Sequence, residues 1–335
     1  MATAKAHTNI ALVKYWGKKD QELIIPQTDS LSLTLNEFYT TTTVNFDNHL
    51  TSDLVAIDQQ TLSKKEAKKV VHVLDIVRQL SGIKAFARVE SINHVPTAAG
   101  LASSASAFAA LAGAASTAAG LNLSSRDLSR LARRGSGSAT RSIYGGLVEW
   151  QKGTDDASSF AQPVLENVDF PIEMLAVLVD TKRKKVSSRS GMQSSVETSP
   201  YYDAWRQVVA NDMVAIKKAI KAKDIDQIGH IAEENALRMH ALTFSADPGF
   251  TYFNGETLTI IKAVEDLRKQ GINCYYTMDA GPNVKVIYDR ENRSKIVEKL
   301  SNIVGPERLV VSQPGPGIKV GGQAVLGRQH VSPTP

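Results

Sequence analysis

A small-residue segment in the first third of the chain has the composition of a phosphate-binding loop. It reads Pro96-Thr-Ala-Ala-Gly-Leu-Ala-Ser-Ser-Ala-Ser106 and runs into an alanine-rich helix predicted to reach Ala119. Gly100 leaves room for the close approach of a ligand, and Ser103 or Ser104 can cap the helix. The free N–H groups and the positive dipole end of such a helix attract anions. A capped core helix has the same composition, and no Walker A sequence follows, so this segment alone leaves both interpretations open.

Cationic side chains stand in three further segments. Lys14 interrupts an otherwise apolar strand, and a lysine in such a position is usually paired with an acid or an anion. Lys18 follows it in a turn, after Gly17. Arg141 is the last residue but one of the segment 135–142, which contains two glycines and three serines, and a guanidinium suits a carboxylate or a phosphate. An outward-facing strand position and a flexible surface loop are the ordinary alternatives for these residues.

The third cationic segment is the basic stretch that begins at Lys182. Most of this charge run is typical of a solvated face, but Ser188 and Arg189 form a second pair that could bind an anion. Met192, a little further on, is better suited to a cavity wall than to chemistry.

Asp279 ends a predicted strand just before a Gly-Pro turn, where acids that face a ligand commonly lie. When this residue is taken alone, an Asx turn, in which the carboxylate bonds to its own backbone, is the better explanation. The combination is more specific. One carboxylate, several arginines and lysines, and two glycine/serine loops suggest phosphoryl transfer to an anionic substrate, in which the protein mainly positions groups and neutralises charge.

The elements that must position these groups follow an α+β pattern. Strands are predicted within 5–46, over 84–92 and 173–180, and as a pair at 272–279 and 283–288; helices are predicted over 64–80, 103–119, 124–134, 201–222, 225–241 and 256–270, with a last helix and strand ending near 311. We predict an N-terminal lobe over 1–182, a C-terminal lobe over 183–318, and a disordered tail over 319–335. The basic stretch 182–189 is predicted to be the hinge between the lobes.

Composition narrows the class of protein. The chain has 335 residues, a formal net charge of +5 and one cysteine, Cys274, which excludes an intramolecular disulfide and fits a reducing cytoplasm. Cys274 lies in an apolar run and is predicted to pack in a strand. The seven histidines never stand three or four residues apart, so the common helical metal-ligand spacing is absent. No segment suggests a signal peptide or a membrane span, and no basic stripe with interleaved aromatics suggests nucleic-acid binding.

The motifs resemble those of a known family when they are read together. The 96–106 segment resembles the phosphate loop of the GHMP small-molecule kinases. Together with 6–18, 134–141, 186–189 and 278–285, it is similar to the bacterial type of the mevalonate diphosphate decarboxylase family. The similarity extends over about 4–318, nearly the whole chain. It implies the two-lobe GHMP-kinase fold and the ATP-dependent conversion of mevalonate 5-diphosphate to isopentenyl diphosphate, ADP, phosphate and carbon dioxide, with Mg²⁺ and a homodimer.

The resemblance also implies roles for individual residues. Asp279 would orient the C3 hydroxyl of the substrate and take its proton, Lys14 would keep Asp279 ionised, and Arg141 would hold the substrate carboxylate. The implied substrate-binding residues are Asn9, Tyr15, Lys18, Ser136, Ser138, Ser188 and Arg189. The implied ATP-binding residues are Pro96, Gly100, Leu101, Ala102, Ser103, Ser104, Ser106 and Lys184. Magnesium would be held mainly through the ATP phosphates, with Ser106 as the one candidate protein ligand.

Other activities remain open on the sequence alone. The run Lys182–Lys185 is more basic than the family pattern. A mevalonate 3-kinase or a decarboxylase of the monophosphate would share most motifs. The pairing of Asp279 with Lys14 argues against the kinase, and the number of cations argues against the monophosphate. A catalytically silent sensor of phosphorylated metabolites is the alternative from another class; loss of Asp279 or Lys14 would have indicated it, and both are present.

Overall fold

The computed structural model describes residues 1–94, 103–180 and 185–321. Its strands are β1 (Ala2–Val13), β2 (Lys18–Asp20), β3 (Ile25–Pro26), β4 (Ser30–Asp47), β5 (Leu54–Ile57), β6 (Gln60–Thr61), β7 (Phe86–His94), β8 (Leu147–Gln151), β9 (Phe160–Leu165), β10 (Ile172–Val177), β11 (Cys274–Met278), β12 (Val284–Asp289), β13 (Leu309–Ser312) and β14 (Lys319–Gly321). Its helices are α1 (Lys64–Ser81), α2 (Ser103–Ala118), α3 (Ser125–Gly135), α4 (Ser188–Thr198), α5 (Tyr202–Ala222), α6 (Ile225–Phe244), α7 (Gly255–Lys269) and α8 (Arg293–Val304). Short 3₁₀ turns span Gly137–Ile143, Arg290–Asn292 and Pro306–Arg308.

The first sheet has the strand order β14-β1-β4-β7-β5-β6, and β8 and β9 extend it from the early part of β4. All its pairings are antiparallel except that of β5 with β7. The middle of the sheet is buried on both faces because helices lie on each side. On one side the alanines of α2 have no bulk that would keep the helix away from β1 and β4, and α1 and α3 complete this layer.

Local signals fix the ends of α1. Ser63 caps the helix in a capping box with Glu66, and Gly82 ends it in the left-handed conformation at φ 76°. Between these ends the residues at helical spacing, including Val73 and Val77, are buried against the sheet.

The second sheet has the order β11-β12-β10-β13 and is antiparallel throughout. Helices α7 and α8 cover one face of it. The other face shares a continuous core with the first sheet, into which α5 and α6 pack. Leu33 of β4, Met174 of β10 and Ile287 of β12 all belong to that core. The two lobes are therefore joined by buried apolar contacts, so the groups that meet between them are held in place.

The predicted succession of strands and helices is largely confirmed, including the position of Cys274 in a buried strand. Two predictions need correction, that of the disordered tail and that of the hinge. The lobe boundary at 182 stays a prediction; strand β10, which precedes it, pairs with β12 and β13 in the second sheet. The segment predicted as a tail begins with β14, which pairs with β1; residues 322–335 lie outside the described part of the chain.

The second correction concerns the predicted hinge at 182–189. Ser188 and Arg189 open a regular helix, α4, whose cap is Ser187. Residues 181–184 lie outside the described residues. The next helix, predicted over 201–222, is α5, which spans Tyr202–Ala222. Among the helices of the described ranges, none is both long and apolar enough to cross a membrane.

Candidate active site

A cavity of ≈ 470 Å³ opens where the end of β1, the 3₁₀ turn 137–143, α4 and the loop after β11 meet. Five basic side chains line it: Lys14, Lys18, Lys69, Arg141 and Arg189. Asp279 is the single carboxylate among the described residues of the lining. A cavity with this charge pattern suits a ligand that carries several negative charges.

Two lysines bind Asp279, one at each carboxylate oxygen. Lys14 Nζ lies 2.9 Å from Oδ1, and Lys285 Nζ lies 3.1 Å from Oδ2. The Lys14 ammonium also donates to the carbonyl of Ala11 at 2.7 Å. The backbone N–H of Lys14 donates to the side chain of Asn235 on α6, which fixes the chain just beyond β1. The predicted pairing of Lys14 with Asp279 is thus confirmed, and Lys285 adds a partner that the prediction did not include.

Burial and the neighbouring charges have opposite effects on the pKa of Asp279. Burial alone would raise the pKa of Asp279, but the ammonium groups of Lys14 and Lys285 outweigh it and hold that pKa well below its usual range. Burial lowers the pKa of Lys14 to about 8, although Asp279 acts to raise it. Asp279 is therefore ionised at neutral pH, and Lys14 is close to the range in which it loses its proton.

Arg141 is 2% exposed and is held by neutral groups. Its Nε donates to Asn9 Oδ1 at 3.2 Å, and its Nη1 donates to Ser30 Oγ at 2.5 Å. The guanidinium also lies 5.9 Å from the centre of the Trp150 ring. Burial lowers the pKa of Arg141 to about 10, so the group stays charged at neutral pH. A guanidinium held in this way retains its charge for an anion in the cavity.

Asn9 lines the cavity, but its amide is already engaged. Its nitrogen donates to the Ser138 carbonyl at 2.9 Å and to the Ser142 hydroxyl at 2.8 Å, while its oxygen accepts from Arg141. These contacts use three of the four hydrogen-bonding positions of the amide, and through its oxygen Asn9 positions Arg141. A contact of Asn9 with the substrate stays a prediction.

The turn after β1 brings Tyr15 and Lys18 to the cavity. Gly17 has φ 122°, and a Cβ there would lie 1.9 Å from the Tyr202 hydroxyl, so this turn requires glycine. The hydroxyl of Tyr15 is buried and has no hydrogen-bond partner among the described residues. An unpartnered hydroxyl in a cavity wall is a ready contact for a polar ligand. Burial lowers the pKa of Lys18 to about 8, and Arg189 adds to the effect.

Serines surround the cationic part of the cavity. Ser138 lies on the 3₁₀ turn and Ser136 directly precedes it; the Ser136 hydroxyl is 3.4 Å from that of Ser104 in the first turn of α2. On the opposite wall the first turn of α4 supplies Ser188 and Arg189. The N-termini of α2 and α4 both lie at the lining and add partial positive charge to it.

The structure does not bring every predicted residue to the cavity. Ser106 is fully buried, and its hydroxyl bonds to Thr40 at 2.8 Å and to Thr8 at 3.2 Å, because it lies on the face of α2 that packs on the sheet. It is therefore not part of the lining. The predicted residues that lie outside the described range are Pro96, Gly100, Leu101, Ala102 and Lys184, and for Ser103 only the backbone is described. Met192 forms part of the wall, as predicted.

Three functional candidates were missed by the sequence predictions. Lys285 interrupts the apolar strand β12 in the same manner as Lys14 interrupts β1, and this signal could have identified it. Ser30 and Lys69 carry no comparable signal, since a serine at the start of a strand and a lysine on the polar face of a helix are common.

Comparison with known proteins identifies the family. A model of the diphosphomevalonate decarboxylase-like N-terminal domain matches residues 6–161, and a model of the mevalonate 5-diphosphate decarboxylase C-terminal domain matches 174–315. The two matches meet where the two sheets divide. A diphosphomevalonate decarboxylase of Ganoderma lucidum is 35% identical over 321 residues, which span 89% of this chain and 80% of that protein.

Solved structures agree over nearly the full length. One, described as MDDEF in complex with MVAPP, AMPPCP and magnesium, has a TM-score of 0.92 at 50% identity and covers 96% of this chain and 99% of that one. Another, a mevalonate diphosphate decarboxylase from Enterococcus faecalis described for its mevalonate diphosphate mediated ATP binding, has a TM-score of 0.91 at 49% identity with the same coverage of 96% and 99%. The predicted two-lobe α+β fold of the GHMP-kinase type is thereby confirmed. Because both halves match and the cavity lies where they meet, this chain belongs to the diphosphomevalonate decarboxylase family.

Proposed function

We propose that the protein uses ATP to convert mevalonate 5-diphosphate into isopentenyl diphosphate, ADP, phosphate and carbon dioxide. The observation that carries this proposal is the carboxylate of Asp279, held between two lysines in a cavity to whose lining the described residues contribute five cations. The cations match the charges of a diphosphate, a carboxylate and the phosphates of ATP. Asp279 is the one acidic acceptor in the described lining for a substrate hydroxyl.

The first step is phosphoryl transfer to the C3 hydroxyl. The hydroxyl oxygen bonds to the γ-phosphorus of ATP while the bond from that phosphorus to ADP breaks. Asp279 accepts the hydrogen bond of the hydroxyl and so fixes its direction. A loose transition state needs little early deprotonation, and the low pKa of Asp279 makes it a weak base. The proton therefore passes to Asp279 late, when bonding to phosphorus has made the hydroxyl proton strongly acidic.

The second step uses the new phosphate as a leaving group. The C3–O bond breaks and its electron pair leaves with phosphate, while the bond between the carboxylate carbon and C2 breaks and its electron pair forms the C2–C3 double bond. Arg141 is the proposed partner of the carboxylate before it departs as carbon dioxide. Its contacts with Asn9 and Ser30 hold it in one orientation, so little reorganisation accompanies the reaction.

The anionic ends of the two substrates have separate proposed contacts. Tyr15, Lys18 and Arg189 would bind the diphosphate of the substrate together with the hydroxyls of Ser136, Ser138 and Ser188. Ser104 at the start of α2 would contact the ATP phosphates, as would the predicted residues outside the described range. Ser106 is not included, because its buried hydroxyl faces Thr8 and Thr40.

Magnesium fits this arrangement as an ion carried by the nucleotide. In the described residues no group of three or more histidine, cysteine or acidic side chains could hold a metal ion. Mg²⁺ favours phosphate and water oxygens, so the phosphates of ATP would be its main ligands. When bound there it would neutralise charge on the transferring phosphoryl group. The relative solved with AMPPCP and magnesium supports this expectation.

The proposal also includes a homodimer in the cytoplasm. The dimer rests on the resemblance to the family, and the single, buried and unpaired Cys274 is compatible with a reducing compartment. Light scattering of the purified protein tests the dimer.

The decisive assay incubates the protein with ATP, Mg²⁺ and mevalonate 5-diphosphate and measures ADP and carbon dioxide together. Equal amounts of both products are expected. ADP without carbon dioxide would identify a kinase that stops at the 3-phosphate. If neither product forms, the monophosphate and mevalonate itself are the next substrates to assay, and inactivity on all three would favour a binding protein without turnover.

A further inference from the structure

Lys285 lies in the middle of a sheet, where a lysine is unusual. It belongs to β12, which is paired on both sides, with Thr277 of β11 and Ala176 of β10 as its direct neighbours. Its side chain is 5% exposed, and its flanking residues Val284 and Val286 are fully buried. Burying an ammonium group is unfavourable unless a partner compensates it. The partners present are Asp279 Oδ2 at 3.1 Å and the carbonyl of Asn283 at 3.3 Å.

Lys285 does not itself reach the ligand space. Asp279 and Lys14 belong to the described lining of the cavity, whereas Lys285 lies behind them. Any influence of Lys285 on the reaction must therefore pass through Asp279. The two lysines bind different oxygens, so together they prevent the carboxylate from rotating about its last bond.

We propose that Lys285 is a positioning residue for the reaction: it holds Asp279 Oδ2 so that the carboxylate keeps one orientation toward the substrate hydroxyl. This inference rests on the proposed function. It assigns to Lys285 a role distinct from that of Lys14, which both contacts Asp279 and faces the cavity.

The charges around Asp279 make this role measurable. Besides Lys14 and Lys285, Arg141 from the 3₁₀ turn and His240 from α6 face the cluster. Burial lowers the pKa of His240 to about 3, so this ring is neutral at working pH and adds no charge. The positive charges of Lys285 and Arg141 both lower the pKa of Lys14. Removing the charge at 285 should therefore let Lys14 keep its proton to higher pH.

The experiment compares Lys285→Met with Thr277→Val, a matched control at the neighbouring position of β11. Thr277 is fully buried and its hydroxyl has no hydrogen-bond partner among the described residues, so valine changes no charge and no bond. For Lys285→Met we expect kcat to fall ~10–100-fold, the scale of a small misplacement of a reacting group. KM for both substrates should change little, and the alkaline limb of kcat/KM should move to higher pH. Lys285→Arg, which keeps the charge, should restore part of kcat.

Folding is checked separately by thermal unfolding, and rates are expressed per folded molecule. If Lys285→Met does not fold, Lys285→Gln takes its place in the same comparison. A kcat equal to that of Thr277→Val, or a fall in kcat with an unmoved alkaline limb, would overturn the proposal. Failure of the proposed function has a different signature, since the unmodified protein would then form no carbon dioxide from mevalonate 5-diphosphate.

Discussion

Two carboxylates lie at opposite ends of the second sheet, and each is bound by two cations. Glu173 on β10 faces the end of β12, where Arg290 and Arg293 contact it. Asp279 follows β11 beside the start of β12 and is bound by Lys14 and Lys285. In both cases the cations outweigh burial and lower the pKa of the carboxyl group. By charge and contacts the two sites are similar.

The difference is in which partner is exposed. Glu173 is 0% exposed while its arginines are 52% and 40% exposed, so the acid is inside and the cations cover it. At the other site the lysines are 2% and 5% exposed while Asp279 is 31% exposed and faces the cavity. Half-exposed arginines can return to water if the acid is removed, whereas buried lysines cannot. The Glu173 cluster therefore joins β10 to the start of α8, and the Asp279 cluster presents an oriented carboxylate to a ligand.

The strongest test of this contrast is Asp279→Asn. The amide keeps the shape of the side chain but can neither attract the lysines as a charge nor accept a proton. We expect turnover to fall by ~10²–10⁴-fold, because the substrate hydroxyl loses both the acceptor that orients it and the group that finally takes its proton, while the affinity for mevalonate 5-diphosphate changes little. Isothermal titration gives the affinity, and the carbon dioxide assay gives the turnover. Turnover equal to that of the unmodified protein would refute the role assigned to Asp279.

Arg141→Ala is expected to have the next largest effect, of a different kind. Losing a buried, hydrogen-bonded charge partner lowers kcat/KM by ~10²–10³-fold, and here binding weakens together with turnover. Arg141→Lys separates charge from geometry, because it keeps the charge but not the planar fork. If Arg141→Lys were as active as the unmodified protein, the contacts with Asn9 and Ser30 would have no part in orienting the carboxylate.

How well the sequence predicted these sites depended on whether a residue departed from its local pattern. Lys14 was identified because a lysine is conspicuous in an apolar strand, and Asp279 because it precedes a Gly-Pro turn. The sequence could not indicate that both meet Lys285, since β1 and β12 are more than 200 residues apart and only tertiary structure joins them. The element succession was predictable because hydrophobic periodicity is local information.

The features that the sequence did not indicate have physical causes of the same kind. Ser106 is one of several serines in a small-residue helix, and composition does not tell which face of that helix packs on the sheet. Asn9 stays a predicted substrate-binding residue, but composition could not indicate that its amide also binds Arg141 and the 3₁₀ turn. The run of lysines before Ser188 suggested a hinge, although the polar residues after it form helix α4. Strand β14 is only three residues long and depends on β1 for its pairing.

The pH dependence of kcat/KM tests the buried lysines directly. Lys14 needs its proton to bind Asp279, and its pKa is about 8, so activity should be full below that pH and fall up to tenfold per unit above it. Because the pKa of Asp279 lies well below its usual range, this carboxylate stays ionised in acid solution and contributes no acid limb to the profile near neutral pH. Lys18 also has a pKa of about 8, so the profile is repeated with Lys18→Arg. Persistence of the limb in that variant assigns it to Lys14, and a flat profile to pH 10 in the unmodified protein would contradict the assignment.

Glu173→Gln addresses the other half of the comparison and should have the smallest effect on chemistry. The amide retains some hydrogen bonds to Arg290 at 2.9 Å and to Arg293, but loses the charge that strengthens them, so the free energy of unfolding should fall by ~1.5–3 kcal/mol. The kcat per folded molecule should equal that of the unmodified protein, because Glu173 lies at the far end of the sheet from the cavity.

Arg290→Ala should lower the free energy of unfolding by only ~0–1 kcal/mol, since that side chain is half exposed and Arg293 remains in place. Chemical denaturation measures the free energy of unfolding of both variants. A loss of kcat in Glu173→Gln would mean that the two ends of the second sheet are coupled. In that case the exposure of the acid would not be enough to distinguish a structural ion cluster, such as that of Glu173, from a catalytic one, such as that of Asp279.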